Sequence, residues 1–124
     1  MEKFVSMFSD EGYMLDMASG TKFRGQAIGD SIAGLASAFP DVHRELLSIY
    51  VAENVVVVEI AIRGTHKGEL TLASGTLAPT GKTIVDVPMC DVFHLEDGTI
   101  ISFDCYNLPS AMLQQLGEKN MRLS

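Results

Sequence analysis

"VPMCDVFHLEDGTIISFDCYNLP", residues 87–109, reads as two strands folded over one tight turn. Glu96-Asp97-Gly98 makes the turn, because Asp-Gly tolerates the positive φ that a hairpin loop demands. Apolar and polar residues alternate along the first strand, as they do where one face packs on a core. That alternation puts Met89, Phe93 and Leu95 on the apolar face, and it puts Asp91 there with them. A carboxylate among apolar side chains is expensive to ionise, so Asp91 is the first candidate for a functional group.

Working outward from the hairpin, the chain before it is also strand-like. "VHRELLSIYV" and "VVVVEIAIRG" flank a turn at "AEN", a loop containing "GTHKG" leads to "ELTLAS", and "APTGK" turns into the hairpin. Earlier still, "QAIGDSIAGLASAF" places Ile28, Ile32, Leu35 and Phe39 at helical spacing, and Pro40 closes a helix expected over residues 25–39. Gly25, Gly29 and Gly34 make it a weak helix former that depends on packing. "MEKFVSMFSDEG" reads as two helical turns with Phe4, Val5 and Phe8 on one side, "YMLDM" as a short strand and "ASGTKFRG" as a loop. After the hairpin come a short helix, "PSAMLQQLG", and a polar tail. Helices followed by a run of long strands predict an α+β fold with a curved, mainly antiparallel sheet, in one domain spanning residues 1–124.

Composition narrows the partners. Net charge is -7 with no Lys/Arg run, which argues against nucleic acid and anionic membrane. No apolar stretch reaches the roughly 18 residues of a membrane span, and the N-terminus lacks a signal peptide's apolar core, so a cytoplasmic address is expected. Cys90 and Cys105 lie in apolar strand contexts and read as buried free thiols. No Cys/His spacing suggests a metal site, and no cofactor is implied.

Taken in order, "FPDVHRELLSIYVAENVVVVEIAIRGTHKGEL", "PTGKTI", "DVFHLEDGTIISFDCYN" and "MLQQLG" resemble the SnoaL-like polyketide cyclases. These belong to the cone-shaped superfamily named after nuclear transport factor two, with ketosteroid isomerase and limonene epoxide hydrolase. The resemblance covers nearly the whole chain, although relatives carry a longer first helix. It implies a bent, cystatin-like sheet wrapped around a helix, with inward side chains lining one deep pocket for a small hydrophobic molecule. The inward set on the hairpin would be Met89, Asp91, Phe93 and Leu95, then Phe103 and Cys105. On "VVVVEIAIRG" parity alone leaves two choices: Val58, Ile60 and Ile62 inward, or Glu59, Ala61 and Arg63. Likeness to relatives favours the second, leaving Val58, Ile60 and Ile62 for a homodimer face, an assembly common in this group.

Each relative's chemistry can be laid on these residues. The epoxide hydrolase and cyclase patterns need a carboxylate where Cys105 stands, and the former also needs an Arg and an Asp where Glu59 and Ala61 stand. The ketosteroid isomerase pattern uses one Asp as base and one as hydrogen-bond donor, and Asp16 and Asp91 fall at both positions, without that enzyme's first-helix tyrosine. The resemblance therefore implies catalytic roles for Asp16 and Asp91. Met14, Glu59, Arg63, Met89, Phe93, Phe103 and Cys105 would line the substrate pocket. The implied reaction is proton transfer on a hydrophobic carbonyl compound (isomerisation, cyclisation or dehydration), and the alternative is non-catalytic binding of a small apolar ligand or a dimeric interaction module. Arg63 would be the partner of Asp91 in a structural reading, and His66 a stabiliser of its turn.

Overall fold

A computed structural model describes residues 2–72 and 75–117. The polar tail lies outside the described residues. The elements run α1 (Glu2–Val5), β1 (Phe8–Asp16), β2 (Thr21–Arg24), α2 (Gln26–Ala38), β3 (His43–Ala52), β4 (Val55–Thr65), β5 (Leu70–Leu72), β6 (Gly75–Leu77), β7 (Thr83–Glu96), β8 (Thr99–Asn107) and α3 (Pro109–Gln115). Six strands form one sheet in the order β2-β1-β8-β7-β4-β3, and β5 and β6 form a separate two-stranded ribbon. Every pairing is antiparallel except β1 beside β8. The fold is the α+β arrangement with a curved, mainly antiparallel sheet that the sequence predicts.

The Asp97-Gly98 turn closes β7 onto β8 with both residues at positive φ, 52° and 77°. That geometry follows the right-handed twist of the strands it joins. Helix α2 lies against the sheet's inner face. Ile28 packs with Met14, Phe103 and Cys105, while Leu35, Ala38 and Phe39 pack with Ile62, Ile84 and Val87. The C-terminal end of α2 is tied to the loop before β5, because Lys67 and Gly68 both donate backbone N–H groups to the Ala38 carbonyl at 3.0 Å. A Cβ at position 68 would sit 2.1 Å from the Ser37 carbonyl oxygen, so only glycine allows this approach.

The buried His66 ring stacks on Phe39, and its Nδ1 accepts the Thr80 backbone N–H at 3.1 Å. It joins two loops, as the turn-stabilising reading anticipates.

Two local expectations are corrected. The helix expected through residue 12 stops at Val5, and Phe8 already pairs with Ile100 in the sheet. Phe4, Val5 and Phe8 still share one cluster, because both a helix turn and a strand start can aim them at Phe93 and Phe103. The expected loop "ASGTKFRG" contains β2, which pairs with β1 and stacks the Lys22 and Arg24 cations on the Tyr13 ring.

The larger correction concerns β4. Val58 pairs with Asp91, Ile60 with Met89 and Ile62 with Val87. Residues directly opposite in a ladder share a face, so Val58, Ile60 and Ile62 point to the same side as Asp91. Glu59 and Arg63 therefore leave the inner face. Glu59 pairs with Cys90 on the outer side and accepts the Tyr50 hydroxyl at 3.0 Å, and Arg63 is exposed opposite His43. Ala61 is buried, but it too pairs outward, with Pro88. The dimer face expected at Val58, Ile60 and Ile62 is lost for the same reason.

Candidate functional site

The inner face of the sheet can be read as rows that cross the strands. One row runs Val58, Asp91, Cys105, Asp16 and Thr21 across β4, β7, β8, β1 and β2. The next runs Val56, Phe93, Phe103, Met14 and Phe23. On the other side lie Ile60, Met89 and Asn107. Asp16 and Asp91 thus occupy one row with only Cys105 between them, roughly 10 Å apart at the backbone, given the usual strand spacing.

Over these rows, between the sheet and α2, lies a cavity of about 1180 Å³. Met14, Asp16, Met89, Asp91, Phe93, Phe103 and Cys105 all line it, and Glu59 and Arg63 do not. Leu95, also expected inward, packs in the aromatic cluster beyond the cavity. Exposed residues such as Ala18, Ser19, Asp30 and Thr71 form its rim. The volume is somewhat above that of a usual small-molecule pocket, and the lining combines an apolar wall with polar groups that include Asp16, Arg44, Asp91 and Asn107.

Burial decides the state of Asp91. The residue is 8% exposed, and its Oδ1 has no hydrogen-bond partner among the described residues. Desolvation pushes its pKa up to about 6, against smaller opposing effects from the neighbouring Cys105 thiol and the Arg44 guanidinium. Thiol and carboxyl are in direct register but form no hydrogen bond of good geometry, so the thiol compensates little. The cation acting on Asp91 is Arg44, which lines the cavity from β3, rather than Arg63.

Cys105 is pushed up to about 12, by burial first and by the Asp91 charge second, so at neutral pH it is a thiol and not a nucleophile. Cys90, which pairs with Tyr106 across the hairpin, faces outward and is half-buried, and the two sulfurs are unbonded.

Asp16 has a different setting. Its Oδ1 accepts the Ala18 backbone N–H at 3.0 Å and the Asn107 Nδ2 donor at 3.0 Å. The same Asn107 nitrogen lies 3.6 Å from Cys105 Sγ. Neither Asn107 nor Arg44 stood out in the sequence. Asn107 ends β8 two residues beyond Cys105, so strand parity was the available signal. Arg44 needed the register of β3. Among the described residues no group of three His, Cys, Asp or Glu side chains is placed to hold a metal ion. The arrangement offers two carboxyl groups in contrasting surroundings over an apolar cavity, which is a setting for proton transfer.

Comparisons with known proteins agree with this fold. Residues 1–103 match the model of the SnoaL-like domain. A search of curated proteins finds no match to the chain. Among solved structures, the chain is similar to a protein of Jannaschia sp. CCS1 proposed to be a SnoaL-like polyketide cyclase, at 22% identity and a TM-score of 0.76, over 88% of this chain and 72% of that one. It is similar to AclR of Streptomyces galilaeus, proposed to be a hydroxylase, at 21% identity and a TM-score of 0.76, over 94% and 69%. A Catenulispora acidiphila DSM 44928 protein with the ketosteroid isomerase-like fold, crystallised with trimethylamine, shares 25% identity at a TM-score of 0.70, over 94% and 81%.

Proposed function

The chain belongs to the SnoaL-like domain family, and from that membership and its own site we propose that it is an acid/base enzyme acting on a hydrophobic carbonyl compound. The observation that carries the reading is the row Asp91-Cys105-Asp16 beneath the cavity, with one carboxyl desolvated and the other held by N–H donors.

Asp16, near the rim, takes a proton from carbon next to the carbonyl. Asp91, in its neutral form, donates a hydrogen bond to the oxygen that becomes an enolate, and Met14, Met89, Phe93 and Phe103 hold the apolar body. Ketosteroid isomerase uses a protonated Asp in this way, and general acid/base help of this kind is typically worth about 10²–10⁴-fold. Isomerisation, aldol-type cyclisation and dehydration all begin with this step.

The test pairs titration with binding. Carboxyl-carbon NMR should show Asp91 titrating near 6, and an enolate-like phenol should bind wild type more tightly than Asp91→Ala. Asp16→Asn should stop turnover of an activated ketone and leave phenol affinity nearly intact. An Asp91 titrating in the ordinary carboxylate range, together with equal phenol affinity in wild type and Asp91→Ala, would remove the donor role.

A second reading, non-catalytic binding of a small apolar ligand, is favoured by Cys105. Where cyclase relatives place a carboxylate, this chain has a thiol that does no acid/base work near neutrality. Under that reading no activated ketone turns over, and Asp16→Asn changes nothing but affinity. A homodimer is part of the proposal in both cases. Two free cysteines suit a cytoplasmic setting.

A further inference from the structure

The two donors on Asp16 converge on a single oxygen. Ala18 N–H and Asn107 Nδ2 each reach Oδ1 at 3.0 Å, while Oδ2 has no protein donor among the described residues. An unconstrained carboxylate rotates broadly about its last torsion, and two donors fixed on one oxygen remove that freedom. They also make the oxygens unequal: Oδ1 is occupied, and Oδ2 is the one open to a ligand.

The two donors also come from opposite directions. Ala18 belongs to the turn after β1, two residues from Asp16 itself, and moves with it. Asn107 stands 91 positions away at the end of β8, in register with Met89 on β7. Its amide nitrogen faces both Asp16 and the Cys105 sulfur, two acceptors, so only the nitrogen and not the amide oxygen fits there. Asn107 is therefore the side-chain link, beside the backbone pairing of Asp16 with Cys105, that refers the Asp16 carboxylate to the strand pair carrying Asp91.

We propose that Asn107 is a positioning residue for the reaction assigned above: it holds Asp16 by Oδ1 so that Oδ2 faces the substrate's proton at a fixed spacing from Asp91. The inference rests on that assignment of Asp16 as base. Misplacing a reacting group by an ångström costs roughly 10²-fold in rate. Asn107 also lines the cavity, but its amide nitrogen is engaged by Asp16 and Cys105, so its loss acts on the chemical step more than on binding.

The experiment uses 5-nitrobenzisoxazole, an activated carbon acid, with wild type, Asp16→Asn, Asn107→Leu and Asn107→Gln. Leucine matches the amide in size and has no donor. Asn107→Leu is expected to lower kcat by roughly 10–100-fold with KM within about twofold, and Asn107→Gln, which keeps a donor on a longer arm, to recover part of that loss. The Asn107 side-chain amide signal in 1H–15N spectra should move in Asp16→Asn, a readout independent of turnover and of how Asn107→Leu folds.

If Asp16→Asn abolishes turnover and Asn107→Leu keeps wild-type kcat, the positioning role fails while the base assignment stands. If Asp16→Asn turns over like wild type, or wild type not at all, the base assignment fails and the positioning role goes with it. An amide signal unmoved by Asp16→Asn overturns the contact itself.

Discussion

At the scale of single residues, Asp91 links stability to activity. A folded-state pKa raised from 3.8 to about 6 means the folded chain holds the proton more tightly than the unfolded chain. The sign follows directly: the benefit is complete below the unfolded value and is lost as pH rises through the folded one, leaving the ionised, desolvated carboxylate as a cost of about 3 kcal/mol at higher pH. Asp91→Asn copies the neutral form. It should stabilise the protein by up to about 3 kcal/mol at pH 8, with the gain shrinking toward zero near pH 4, in urea melts compared across pH. A difference independent of pH would contradict the burial argument.

The same titration shapes catalysis. If neutral Asp91 is the donor, kcat/KM should fall as pH rises through about 6, close to tenfold per unit beyond it. Arg44→Gln removes a cation that favours the charged form, so this limb should shift to higher pH. A limb that stays in place in Arg44→Gln would show that the guanidinium does not act on Asp91. Much of this was legible beforehand, because Asp91 is a polar residue at an apolar parity of its own strand. Arg44 and Asn107 were not, because each gains its role from a partner on a distant strand, and that register is not written in either local sequence.

Among elements, the hairpin β7–β8 and helix α2 were legible because each carries its own punctuation: Asp97-Gly98 for one and periodic apolar residues ending at Pro40 for the other. Strand β4 was harder. "VVVVEIAIRG" is apolar at nearly every position, so period two leaves its inner face undecided, and only the ladder to β7 settles it. Helix α1 and strand β2 were misread because each has only four residues, too few for any period to declare itself. The contact between α2 and the loop before β5 gives an element-scale prediction. Gly68→Ala would drive a Cβ into the Ser37 carbonyl, which is backbone and cannot swing away. Overpacking of this kind costs about 1–3 kcal/mol, so the melting temperature should drop while Asp91 titrates as before. An unchanged melting temperature would mean that the loop can lift off the helix freely.

At the scale of the molecule, β3 ends the six-stranded sheet, and its apolar residues are uncovered. Leu46, Leu47, Ile49, Tyr50 and Val51 are each more than half exposed, with Val51 at 70%. Leu46, Ile49 and Val51 share the inner-face parity of Ile60, Val58 and Val56, while Tyr50 pairs with Val57 on the outer face. A long apolar edge strand invites pairing with another chain unless something covers it. A symmetric dimer through β3 would cover both faces and satisfy the free edge at once, and a stable interface needs about 800 Å² from each partner. The homodimer expectation therefore moves from Val58, Ile60 and Ile62, which face inward, to β3. Wild type should sediment as a dimer at micromolar concentration, and Leu47→Lys with Val51→Lys should give a folded monomer. If the wild-type chain sediments as a monomer under those conditions, or if the two lysines leave a dimer intact, β3 is not the interface. The cavity is lined by residues of a single chain, so the monomeric variant should still bind phenol through Asp91, separating assembly from the site.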